Sequence, residues 1–380
     1  MSREKLFSLL ANHSDKSCLL MYLGINSLFL LKYTPRIVPL TGWAEFILII
    51  VYSILIYALI KVSQRLSLRL LAIVAIFLLL ILTVAQCSIN PYELKVDRWS
   101  AIHNFLQNLF NGIYPYAAQT HLGGYGSPFP VWQVFHIPFY LLGNVGLSFL
   151  IGVGLFFDSI RRSFSSQQAL TALLLLIVSP AFVYEVMVRS DLMTNFLVCS
   201  SIILYFHHYH ITFDKHCLLL SVIIGLMAST RLSILVPFGI YFLRDFVRTG
   251  YRRQMLSLAI ILIVFILTFL PFLLWNGKML LFFEYNPFVL QSRQGNLTDF
   301  LLFIPFGIWL ALSWKDDINR YALNTACFMV VLVAVTFVHN MYLHDNWNQL
   351  FESAYDITYF DMALPFLIIA INPSDNKSLC

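Results

Sequence analysis

The chain has 380 residues, of which 59% are hydrophobic and only 11% charged, and its formal net charge is +5. A soluble domain carries about 25% charged residues, so this composition excludes an ordinary soluble core and fits a polytopic membrane protein. The positive balance is too small to point to a nucleic acid and needs explaining by position along the chain.

The opening segment, MSREKLFSLLANHSDKS, is too polar for a signal peptide. Apolar runs then follow at Cys18–Leu31, Trp43–Ile60 and Leu70–Ala85. Further runs are Val134–Phe157, Leu170–Met187, Leu192–His207, Cys217–Ser229, Leu232–Leu243, Met255–Trp275, Phe300–Trp314, Tyr321–Val338 and Phe360–Ile371. They predict an all-α membrane protein, a bundle of about 10–12 spans, several shorter than the ~20 residues of a straight crossing. No repeat or flexible linker divides it, so residues 1–380 read as one integral domain.

Orientation follows from Lys and Arg. With a cytoplasmic N-terminus, KVSQRLSLR, DSIRRSFSSQQ, RDFVRTGYRRQ and KDDINR all fall inside, as the positive-inside rule requires. The long segment 87–132 then lies outside. So do VRSD, the Thr230-Arg231 turn and two later segments rich in acids and aromatic residues, the last being LHDNWNQLFESAYDITYF. This places the protein in a cell (inner) membrane with its chemistry on the outer face.

Within 87–132, apolar residues at Trp99, Ile102, Phe105, Leu106, Leu109 and Phe110 follow helical spacing. Gly112 is a natural stop. The helix is too short and polar to span, so it is expected to lie in the interface with its apolar face toward lipid. Asp97 heads it. It reads either as an N-cap or as a partly desolvated general base, with Glu93 as the alternative base. Tyr114, Tyr116, Tyr125 and Trp132 read as interfacial belt residues or as surfaces that stack on a sugar.

The order of these features resembles the first outer loop of GT-C glycosyltransferases, in their polyprenyl-phosphate-sugar-dependent, mannosyltransferase-like branch. The residues that carry the resemblance are Asp97, the amphipathic helix, GIYPY, the glycine-rich stretch, and SPFPVWQVFHIPFYLLG. SPAFVYEVMVRSDLMTNFL resembles the family's second outer loop, and GLMASTRLSILVPFGIYFLR its following hairpin. The resemblance covers roughly Leu70 to Arg244. Two features depart from it: Arg98 stands where the family often has a second acid, and extra apolar runs precede the loop.

The resemblance implies transfer of a sugar from a polyprenyl-phosphate donor to a hydroxyl of a glycan, lipid or protein acceptor. A phosphate leaves as an anion, so one carboxylate can serve as base, unlike the carboxylate pair of glycoside hydrolysis. Asp97 is the expected base. Arg189, Arg231 and Arg293 are candidates for the donor phosphate, because guanidinium binds it bidentately. Arg189 has an alternative as the ion-pair partner of Asp191 or Glu185, and Arg231 as an interfacial snorkel. Arg231 sits between two short apolar runs, where a charge costs about 2.5–3.5 kcal/mol on insertion scales. Glu185 and Asp191 are expected to orient Arg189 or touch the acceptor. No His or Cys spacing suggests a metal, and no cofactor is expected. The competing readings are an O-antigen-type polysaccharide polymerase or ligase, and a lipid-linked sugar flippase.

Overall fold

The computed structural model describes residues 14–39, 42–292, 295, 297–314, 316–348 and 356–371. Its regular structure is helical throughout, and the strand-like pairing among the described residues is an isolated bridge between Gln119 and Tyr125. Five helices are long and apolar enough to cross a bilayer: Lys16–Arg36, Gly42–Ser63, Leu68–Ser88, Tyr251–Leu281 and Ile318–Leu343. A bent pair, Ser166–Ile177 with Pro180–Met187, makes a sixth candidate. This is an all-α, multi-pass membrane architecture.

The outward faces of these helices stay greasy: Phe46, Ile47, Ile54, Leu55, Ile73 and Phe77 are all exposed. Such a surface is stable only against lipid. Inside, packing rather than water exclusion holds helices together in a bilayer. The short helix Leu364–Ile371 is wrapped on all sides, with Leu364, Phe366, Leu367 and Ile368 fully buried. It packs against Ser14–Tyr33 and Ile318–Leu343.

Two apolar runs are not single crossings. Val134–Phe157 breaks into Pro130–Phe135, Ile137–Leu141 and Ser148–Ser163. Pro138 and the left-handed Gly143 (φ 81°) interrupt its hydrogen-bond ladder. The run through Leu170–Met187 bends by 62°, because Ser179 caps a new helix whose first residue is Pro180. Asn26 fixes the bend: its Oδ1 accepts from Ser179 Oγ (2.5 Å) and from the Ala181 N–H (3.3 Å). The bend aims Glu185 and the Ser190-Asp191 turn toward the first loop.

The predicted helix forms over Arg98–Phe110. Its C-terminus is a Schellman motif: Ile113 N–H donates to Asn108 O (2.9 Å) and Gly112 N–H to Leu109 O (3.3 Å), with Gly112 at φ 69°. The expectation that its apolar face meets lipid is corrected. Trp99, Ile102, Phe105 and Leu106 are buried in the protein, and Phe105 packs on Tyr116 and Phe272. Protein contacts hold the first two turns of this helix, while Phe110 at its end stays exposed.

Candidate functional site

Three segments distant in sequence converge above the helix Arg98–Phe110. The start of the helix Pro130–Phe135 is tied to the hairpin turn, through Phe129 N–H to Thr230 O (3.2 Å) and Val131 N–H to Ser229 O (3.1 Å). Gln291 ties the same parts: its Nε2 donates to Ser127 O (2.9 Å) and its Oε1 accepts from Leu232 N–H (3.3 Å). The third is the 3-10 helix Ile357–Ala363 with its N-cap Asp356. Together they enclose a cavity of about 690 Å³ whose lining includes Asp97, Arg98, Tyr125, Asp191, Arg231 and Asp356.

Asp97 is placed by the tight turn that follows the helix. Its Oδ2 accepts from Thr120 Oγ1 (2.8 Å), and Thr120 Oγ1 in turn accepts from Gly124 N–H (2.9 Å). The capping role is corrected: Asp97 occupies the N-cap position but makes no side-chain cap bond. Its carboxylate is held by Thr120 in place of the helix N-terminus. The turn is tight opposite it: a Cβ on Gly124 would lie 3.0 Å from Asp97 Oδ2.

Asp191 and Arg231 form a buried ion pair, Nη2 to Oδ2 at 2.6 Å, and Trp132 Nε1 donates to the same oxygen at 2.6 Å. Burial works against the charge of Asp191, but Arg231 outweighs it and holds the carboxyl below its ordinary range. Asp191 Oδ1 and Arg231 Nε are buried with no hydrogen-bond partner among the described residues. Such atoms are uncommon in native interiors.

Arg98 is the residue that sequence reasoning passed over. It donates to Asp356, to Thr358 Oγ1 (2.6 Å) and to Ser190 Oγ (3.2 Å), and its Nη1 stands 3.8 Å from Glu185 Oε1. Burial disfavours its charge, yet Asp356 and Glu185 raise its pKa well above the usual value. Asp356 is likewise pulled down against its burial by Arg98 and Thr358. Tyr359 lies under the Arg98 guanidinium at 5.7 Å and also lines the cavity. A signal did exist: Asp356 and Tyr359 lie in the acid- and tyrosine-rich segment near the end of the chain.

Several expected site residues stand elsewhere. Glu93 is exposed, outside the cavity lining, and accepts from Asn90 Nδ2 (2.9 Å). Tyr114 and Tyr116 are buried in the aromatic cluster with Trp275, Phe105 and Phe272 rather than on the cavity wall. Trp132 is also buried, and it acts on Asp191 from behind. Arg189 points away: a left-handed backbone (φ 54°) sends its Nη2 to Gln86 O (3.2 Å) and Ile89 O (3.0 Å), where it closes the helix Leu68–Ser88. It pairs with neither Asp191 nor Glu185 in the ion pairs present. Arg293 lies outside the described residues. Tyr125 does line the cavity, stacked on Tyr285 at 5.4 Å. Glu185 lines a separate, smaller cavity.

The main cavity continues into an apolar cleft of about 160 Å³ through Ser127, Arg231, Leu290 and Tyr359, which line both. Leu192, Leu332, Val333 and Met362 form the cleft's walls, and Arg231 is the charged residue on its lining among the described residues. No family model matches this chain, and no curated protein or solved structure matches it.

Proposed function

We propose that this protein is a membrane glycosyltransferase that moves a sugar from a polyprenyl-phosphate donor to an acceptor hydroxyl at the outer face. The observation that carries the reading is the non-capping Asp97 facing a polar cavity joined to an apolar cleft, with Arg231 at the junction. The first isoprene units of the prenyl tail next to the phosphate occupy the cleft. The phosphate meets Arg231, whose Nε is an unused buried donor. The sugar lies in the main cavity, where Tyr125 offers a face and Arg98 and Asp356 offer polar edges.

In the reaction Asp97 takes the acceptor hydroxyl proton as the acceptor oxygen bonds to the sugar's anomeric carbon. The bond from that carbon to the phosphate oxygen breaks, and polyprenyl phosphate leaves as an anion. Asp191 holds Arg231 in place, and Trp132 holds Asp191.

The test is transfer by the purified protein from a radiolabelled polyprenyl-phosphate sugar to a membrane-glycan extract. Absence of transfer from every polyprenyl-phosphate hexose offered would reject the reading.

One observation favours a second reading, a lipid-linked sugar flippase. Asp361 is fully buried in an apolar segment, and neither of its carboxyl oxygens has a hydrogen-bond partner among the described residues. Intramembrane acids of this kind serve proton-coupled movement in transporters. Movement of a lipid-linked sugar across proteoliposomes, lost in Asp361→Asn and unaffected by Asp97→Asn, would decide for it.

A further inference from the structure

The main cavity has two ends. Ser127, Arg231, Leu290 and Tyr359 belong to the end it shares with the apolar cleft. Gln119, Tyr125 and Tyr285 line the main cavity alone. They adjoin the proposed base, because Tyr125 follows Gly124, where a Cβ would lie 3.0 Å from Asp97 Oδ2. A donor whose first isoprene units lie in the cleft leaves this end to the other substrate.

This end is built from aromatic rings held in place. Tyr285 stacks on Tyr125, with centroids 5.4 Å apart and the rings 8° from parallel. Phe283 packs edge-on against both, at 5.0 Å from Tyr125 and 5.7 Å from Tyr285. Gln119 Nε2 donates to the Tyr125 hydroxyl (2.9 Å). Tyr125 covers one face of the Tyr285 ring, yet Tyr285 stays 37% exposed. The turn that carries it is fixed by the buried Asn286. Asn286 Nδ2 donates to Phe283 O (2.7 Å), and its Oδ1 accepts from Phe288 N–H (3.0 Å) and Val289 N–H (3.1 Å). An open ring on so fixed a turn loses little freedom when a ligand settles on it.

The charges on the described lining are already matched. Arg98 is paired with Asp356 and Arg231 with Asp191. Asp97 is the acid left over, held by Thr120. An anionic substrate gains little from paired cations and is repelled by Asp97.

We infer that the acceptor is an uncharged carbohydrate, whose sugar ring rests on Tyr285 beside Tyr125 and Gln119 and so brings a hydroxyl to Asp97. The word acceptor rests on the glycosyltransferase reading; the sugar-binding surface rests on the tyrosine pair alone. The negative face of a tyrosine attracts the weakly positive C–H groups of a sugar ring, and the amide of Gln119 can both donate to and accept from its hydroxyls.

The test reads binding without turnover. Full-length protein in phosphatidylcholine nanodiscs, free of sugar detergents, is titrated with maltotriose, cellotriose, mannotriose and chitotriose. Saturation-transfer NMR follows the ring protons. Binding of at least one trisaccharide is expected. Tyr285→Ala should weaken it about three- to tenfold, the worth of one aromatic contact, and Tyr285→Trp should bind like wild type. Tyr285 is partly exposed, so both variants should fold, which thermal unfolding checks. Trigalacturonic acid should bind more weakly than the neutral sugars. Three results overturn the inference: no binding of any neutral trisaccharide, equal binding by wild type and Tyr285→Ala, or equal or tighter binding of trigalacturonic acid. In a transfer assay Tyr285→Ala should raise the acceptor KM and leave the donor KM unchanged; a raised donor KM alone also overturns it. Sugar binding without any transfer by the wild-type protein sinks the enzyme reading and leaves the sugar site standing. Transfer to a lipid or peptide without trisaccharide binding sinks the sugar site alone.

Discussion

The Asp191–Arg231 pair carries the sharpest prediction about stability. Its side chains are 2% and 10% exposed, so solvent screens the attraction little. Asp191→Asn keeps the side chain's size and an oxygen for Trp132 Nε1, but it strands the Arg231 charge in a buried site. Removing one partner of a buried pair costs about 3–5 kcal/mol; because Asn retains the Trp132 bond, about 3 kcal/mol is expected here. Adding Arg231→Gln removes the stranded charge. The double variant should therefore fall short of the summed single losses by about 1–3 kcal/mol. Unfolding free energies from denaturing-detergent titration of the three variants measure this. Single losses that add within about 0.5 kcal/mol would refute the buried-pair argument, as two sites without interaction behave that way.

Other expectations follow from the same geometry. Gly124→Ala brings a Cβ to 3.0 Å from Asp97 Oδ2 and 3.4 Å from Thr120 Oγ1, so the carboxylate must give by a few tenths of an ångström, and turnover should fall by less than the ~10²-fold that a 1 Å misplacement costs. Thermal unfolding should change little, which separates positioning from folding. Arg189→Gln should lower stability by about 1–3 kcal/mol through the lost carbonyl bonds and leave the donor KM unchanged; a raised donor KM would return Arg189 to the site. Asp191 and Asp356 are held below ordinary carboxylate values, so their stabilisation is present above the unfolded value of about 3.9 and is lost as pH falls through the lower folded values. Unfolding titrations should thus be flat in these terms from pH 8 to 5 and drop below about pH 4. A cysteine at Gln119 should react with an impermeant thiol reagent from outside, and one at Ser166 should not; the reverse would put the cavity on the cytoplasmic side.

The loop 87–132 was legible because its signals are local. An acid, a helical apolar period, a glycine stop and a glycine turn occur in order, and the helix Arg98–Phe110 with Gly112 at φ 69° follows them closely. Asp97, Tyr125, Asp191 and Arg231 were named from sequence, and all four line one cavity. What sequence hides is partnership at a distance. Arg98 meets Asp356 across 258 positions, and no periodicity encodes that contact. Arg98 looked like a missing second acid, when it is the cation that gathers Glu185, Ser190 and Asp356. Tyr114, Tyr116 and Trp132 show the opposite error. An aromatic residue near an expected interface reads as a binding surface, although Phe105 and Phe272 bury Tyr116 and Phe135 covers Trp132. The run Val134–Phe157 was apolar enough to suggest a span, but proline and a left-handed glycine break it regardless of hydropathy.

The central claim is that Asp97 is a base and not a cap. Asp97→Asn retains size and the ability to accept from Thr120 Oγ1, and Asn caps about as well as Asp. Measured with polyprenyl-phosphate sugar in a purified system, single-turnover transfer should fall by about 10²–10⁴-fold, with donor binding and unfolding near wild type. Transfer at a near-normal rate would contradict the account and leave Asp97 a structural residue.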